Sequence, residues 1–133
     1  MRDAKRYTRH TTRVRADDRA ASQERSAAIF GNRYFADAVL AVDRLSATGD
    51  AFVTTRMVAS ETGLGDSLVR PVMRRLDAAG LIAALPRTGG PRSMLNYQVM
   101  RGALWSAVVS ACAETTREGA SQFPEPEKAR PNT

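Results

Sequence analysis

Between about residues 28 and 116 the apolar positions form a succession of short periodic segments, and on either side of that stretch they almost vanish. Over 32–47, Tyr34, Phe35, Ala38, Val39, Val42 and Leu45 recur every three or four residues. That spacing predicts a helix with one apolar stripe, stopped at Gly49. Ala51-Phe52-Val53 reads as a short extended segment, after which Thr54 or Thr55 supplies a hydroxyl able to cap a helix over 56–62, with Val58 and Ala59 inward. Gly63-Leu64-Gly65 reads as a turn with two residues free to take positive φ. A third helix, capped by Asp66 or Ser67, runs to about Ala79 with Val69, Val72, Met73 and Leu76 on one side. Gly80 ends it, and Leu81 is placed for the hydrophobic contact of such a C-terminal cap. The period then changes from helical to extended. Residues 81–85 and 94–99 read as strands joined by the Pro- and Gly-containing loop 86–93, an antiparallel hairpin. A last helix, about 101–116, puts Leu104, Trp105, Val108, Val109 and Cys112 on one face.

The flanks differ in kind. Residues 1–15 carry Arg2, Lys5, Arg6, Arg9, Arg13 and Arg15 against the single acid Asp3, the composition of a mobile basic arm. Residues 17–28 (DDRAASQERSAA) are compatible with a helix but hold almost no large apolar side chain, so a helix there must draw its stability from packing elsewhere. The segment after 116 has three prolines and one large apolar residue, Phe123, and reads as a disordered tail. The expected organisation is a basic arm over 1–27, partly disordered or weakly helical, a folded domain over 28–116 and a tail over 117–133. The expected fold class is mainly α with a small antiparallel β-hairpin.

The order helix, short strand, helix, tight turn, helix, hairpin, helix is that of a winged helix-turn-helix domain. The stretch LGDSLVRPVMRRLDAAGLI, residues 64–82, resembles the recognition helix and first wing strand of MarR- and ArsR-type bacterial transcriptional regulators. In those families a polar turn precedes a helix ending in leucine, two or three residues, glycine, leucine and an aliphatic residue, here Leu76, Gly80, Leu81 and Ile82. The likeness spans about residues 52–99. It implies a regulator that binds double-stranded DNA and dimerises through helices outside the reading head. Pro71 departs from the pattern, because it removes an amide donor one turn into the recognition helix and crowds the carbonyl of Ser67.

Charge points the same way. Of the 20 basic residues, all but Lys5 and Lys128 are arginine, and the formal net charge is +6. Codon bias in a GC-rich bacterial genome is one explanation of that skew. Recognition of phosphates and guanine edges by the guanidinium fork is the other. Position separates them: residues 56–101 hold Arg56, Arg70, Arg74, Arg75, Arg87, Arg92 and Arg101 against Glu61, Asp66 and Asp77. On a helical wheel the face of the third helix opposite its core carries Ser67, Arg70, Pro71, Arg74, Arg75 and Ala78. The expected DNA-binding set is therefore Arg56, Ser67, Leu68, Arg70, Pro71, Arg74 and Arg75, together with the wing residues Arg87, Thr88, Gly89, Gly90 and Arg92. Ser67 and Arg70 are placed nearest the bases. A solvated helix face and a solubilised edge hairpin are the bland alternatives.

Catalysis needs converging groups, and one His and one Cys supply neither a Ser-His-acid set nor a zinc cluster. No enzyme, cofactor or metal is expected, and His10 lacks companions of metal-ligand type. No apolar run reaches the roughly 18 residues needed to cross a bilayer, and the basic N-terminus lacks the pattern of a secretory signal, so no membrane partner and a cytoplasmic, nucleoid-associated location are expected. Cys112 reads as a buried small apolar residue rather than a redox sensor. Leu104, Trp105, Val108, Val109 and Cys112 either complete the core or form half of a homodimer contact. Two rival functions remain at this level: a winged helix that binds proteins, and a DNA-binding role in replication, partition or chromosome architecture.

Overall fold

The computed structural model describes residues 18–47, 52–86 and 94–117, and its order is mainly helical with one two-stranded sheet. We label the elements α1 (18–30), α2 (Phe35–Ala47), α3 (Thr55–Thr62), α4 (Asp66–Ala78), β1 (Ile82–Ala84), β2 (Tyr97–Val99) and α5 (Ala103–Thr116). Residues 1–17 of the expected basic arm, the stop at Gly49, the loop residues Arg87, Thr88, Gly89, Gly90 and Arg92, and residues 118–133 of the expected tail lie outside the described residues.

The core forms where the periodic residues meet. Val39 and Val42 of α2, Val58 of α3, and Val69, Val72, Met73 and Leu76 of α4 are all fully buried in one cluster. Burying each such side chain contributes about 1.5–3 kcal/mol, which is why short helices with ordinary propensities persist here. The cluster is closed from the sheet side by Val53, Leu81, Ile82 and Tyr97, and from the other side by Trp105 and Cys112 of α5.

β1 and β2 pair antiparallel in the register Ile82↔Val99, Ala83↔Gln98 and Ala84↔Tyr97. Leu85 N to Asn96 O and Met100 N to Leu81 O continue the ladder at both ends. Val53 adds a one-residue third edge, exchanging two backbone bonds with Tyr97 at 2.9 and 2.8 Å. Val53 therefore ties the start of α3 to the hairpin.

α1 corrects the expected boundary at 27/28, which falls inside a helix that continues to residue 30. It docks through the small polar Ser26 and, at its C-terminal end, through Phe30. Ser26, 1% exposed, donates to Asn32 O at 2.7 Å and accepts from the Ala36 amide at 3.1 Å, so one hydroxyl joins the end of α1 to the start of α2. Phe30 stacks on Phe35 with centroids 4.6 Å apart. Arg25 donates to Thr115 O and Arg117 O, closing the carbonyl end of α5 with a positive charge where the helix dipole is negative.

Candidate nucleic-acid interface

The interface is built by the α3–turn–α4 unit. α3 starts on Thr54, which has an extended backbone and whose Oγ1 accepts the Met57 amide at 3.1 Å, so the first of the two threonines is the cap. It ends at Gly63, the one turn glycine with positive φ, at 78°. Gly65, expected to share that freedom, has φ −76° and is the N-cap of α4. Neither Asp66 nor Ser67 caps the helix as expected; α4 has no side-chain cap, and Asp66 sits in its first turn, where its charge complements the dipole. The other end matches the expected motif. Leu81 N bonds Leu76 O and Gly80 N bonds Asp77 O, with Gly80 at φ 78° and Leu81 buried against the core.

With Val69, Val72, Met73 and Leu76 turned inward, the outward side of α4 presents Ser67, Leu68, Arg70, Pro71, Arg74 and Arg75, all exposed. The helix runs unbroken through Pro71. The proline's missing amide leaves the Ser67 carbonyl without its intrahelical donor, on the same outward side as the arginines. Arg56, in the first turn of α3, is exposed next to them and lines a cleft of about 370 Å³ shared with Arg70 and Arg74. Among the described residues none of these three guanidiniums has an ion-pair or hydrogen-bond partner.

Arg75 is different and leaves the expected set. Its guanidinium donates to the carbonyl of Phe30 at the end of α1 and lies 6.0 Å from the centroid of Phe35. A cation on a terminal helix carbonyl and over an aromatic face is engaged within the chain. Arg75 is therefore a strut between α4 and the α1–α2 corner. The same spacing that put it on the outer face in the sequence put it within reach of that corner, and nothing in the local pattern distinguishes it from Arg74.

The residues expected at a dimer contact separate as well. Trp105 and Cys112 are buried within the single chain, and Trp105 Nε1 donates to Asp43 Oδ1 of α2 at 3.0 Å. Val108 and Val109 are half-buried against the same core, whereas Leu104 is 61% exposed. The thiol of Cys112 is pushed up from 9.0 to about 12, first by burial and then by the nearby negative charge of Asp37, so it is a neutral thiol at pH 7.

No helix of the described residues is long and apolar enough to cross a membrane, and no three His, Cys, Asp or Glu among them come together as a metal site would require. No family model matches the chain, and no curated protein matches it in sequence.

Proposed function

We propose that the protein binds double-stranded DNA sequence-specifically as a winged helix-turn-helix, with α3 and α4 as the helix-turn-helix and the β1–β2 hairpin as the wing, and that it acts as a transcriptional regulator of the MarR or ArsR kind. One observation carries this reading: α4 turns a side rich in unpaired cations outward, opposite an aliphatic side that is fully buried. A helix so disposed can enter a major groove without giving up any contact of its own core, and arginine there bonds guanine bidentately or neutralises phosphates. Ser67 and Arg70, in the first turns of α4, lie nearest the bases. Arg74 and Arg56 contact the backbone, as do Arg87 and Arg92 of the wing. Homodimerisation through the outward side of α5, where Leu104 stands exposed, gives two reading heads and an inverted-repeat target with half-sites one helical turn apart, about 34–36 Å.

Selection of bound sequences from random duplex, followed by a salt titration, tests the proposal. A defined inverted repeat should emerge, and affinity should fall steeply as salt rises. Arg70→Ala should flatten the sequence preference, whereas Arg56→Ala should weaken all duplexes alike and reduce the salt slope by about 1. A protein that binds no duplex at low salt, or binds a protein partner without salt dependence, is not what is proposed.

A further inference from the structure

The three unpaired guanidiniums belong to two helices yet face one cleft. Arg70 and Arg74 are four residues apart on α4 and so lie on one side of it, an arrangement of like charges that destabilises an isolated helix. Arg56 joins them from the first turn of α3, next to Thr55. Positive charge thus collects around a space of about 370 Å³, within the range of about 300–1,000 Å³ typical of small-ligand pockets. Two further features narrow the ligand. Met94, Leu95 and Tyr97 make one side apolar, and Asp66 places a single carboxylate among the arginines. Guanidiniums hold phosphate oxygens bidentately. The apolar side accepts a flat ring, and the carboxylate accepts from a hydroxyl or amino group while disfavouring an anion that carries no such donor.

We propose that this cleft is a binding site for a free phosphate-bearing small molecule of the nucleoside diphosphate class. A second part rests on the DNA-binding reading above: the ligand and a DNA strand compete for Arg56, Arg70 and Arg74, so occupancy releases the duplex.

Calorimetric titration of the full chain with ADP, adenosine and inorganic pyrophosphate at low salt tests the first part. ADP should bind more tightly than pyrophosphate, and adenosine should give no heat. Arg70→Gln, Arg74→Gln and Arg56→Gln should each weaken ADP by about tenfold, the loss expected for one charge-assisted hydrogen bond. Arg33→Gln, an exposed arginine at the α1–α2 corner, should change nothing. Equal losses from Arg33→Gln would mean diffuse attraction to a basic surface and overturn the site, as would millimolar ADP that gives no heat with a protein whose circular dichroism shows it folded. A fluorescent duplex, displaced by ADP from the wild-type protein, tests the second part. ADP binding by a protein with no affinity for duplex keeps the site and removes the DNA reading; duplex binding indifferent to ADP at concentrations that saturate the calorimetric site keeps both and overturns the competition.

Discussion

Arginines in this chain are sorted by what they touch. Arg25 and Arg75 each place a guanidinium on the carbonyl end of a helix, Arg44 pairs with Glu61 at 2.9 Å on the surface, and Arg101 bonds Ser46 and approaches Asp43 at 3.6 Å. Arg56, Arg70 and Arg74 have no such engagement among the described residues. Two neighbours on one helix, Arg74 and Arg75, should therefore respond oppositely to removal. Arg75→Ala should lower the unfolding free energy by about 1 kcal/mol, below the ~1.5–3 kcal/mol of a charged hydrogen bond because the site is exposed, with little effect on duplex affinity. Arg74→Ala should leave thermal stability within about 0.5 kcal/mol and weaken duplex binding. Denaturant melts and fluorescence anisotropy on the two variants measure both quantities, and a reversed pattern would assign the wrong arginine to the interface. Cys112 yields a pH prediction. Its folded-state pKa of about 12 lies above the ordinary 9.0, so the unfolded chain loses the thiol proton first as pH rises. The contribution of the neutral buried thiol is thus fully present below pH 9 and is lost between 9 and 12, with a slope of at most about 1.4 kcal/mol per unit. Wild type compared with Cys112→Ala by alkaline melts should show this loss only in the wild type.

At the scale of elements, periodicity located α2 through α5 and both strands, because each turns apolar residues to the core at a spacing written in the local order of the chain, from a full stripe on α4 to one buried residue on each strand. It did not locate the docking of α1. There the hydrogen bonds across to the start of α2 are made by Ser26, 1% exposed, while Ser22, 4% exposed, bonds within its own helix to Arg19 O. A serine in a polar, alanine-containing stretch gives no sign of this, since its partners, the Asn32 carbonyl and the Ala36 amide, are backbone groups that every sequence possesses. The misplaced cap of α4 has a similar origin: Asp66 and Ser67 both suit a cap by type, but the extended backbone stands one residue earlier, at Gly65, with ψ 156°. Ser26→Ala tests the α1 contact. It leaves the Ala36 amide, in a residue only 1% exposed, without its acceptor, and should cost about 1–3 kcal/mol. If the melting midpoint of Ser26→Ala matches wild type, α1 is not a structural part of the domain and the folded unit begins where the apolar pattern does.

At the scale of the molecule, the outward side of α5 is the surface that a single chain leaves unexplained. From Ala103 to Ala113 the helix holds no charged residue, and the side turned away from Trp105 and Cys112 presents Ala103, Leu104, Ala107, Ser110 and Ala111. A solvent-facing helix normally carries charge on its outer side, and this one places its first, Glu114, only near its C-terminal end. Small residues at three- and four-residue spacing allow another helix to approach closely, and in a two-fold contact the same residues meet their own copies, which requires no charge complementarity. The periodic apolar stripe in the sequence merged two roles that the structure separates: Trp105 anchors α5 to α2, while Leu104, one residue earlier, points away. Mutation can therefore divide them. Leu104→Asp should convert a dimer to monomer in sedimentation equilibrium at tens of micromolar while keeping the circular dichroism and melting curve of a folded monomer, because an exposed site carries little of the core. Trp105→Ala should instead lower stability by about 3–5 kcal/mol through the cavity it opens and the hydrogen bond to Asp43 it removes. DNA then reports on the whole assembly: the Leu104→Asp monomer should bind a single half-site as the wild type does, and lose the advantage conferred by the second half-site, since linking two reading heads raises affinity through effective concentration without any new contact. A wild-type chain that sediments as a monomer at 100 µM or so, with no gain from the second half-site, would leave one head per molecule and make the uncharged side of α5 a feature unrelated to operator symmetry.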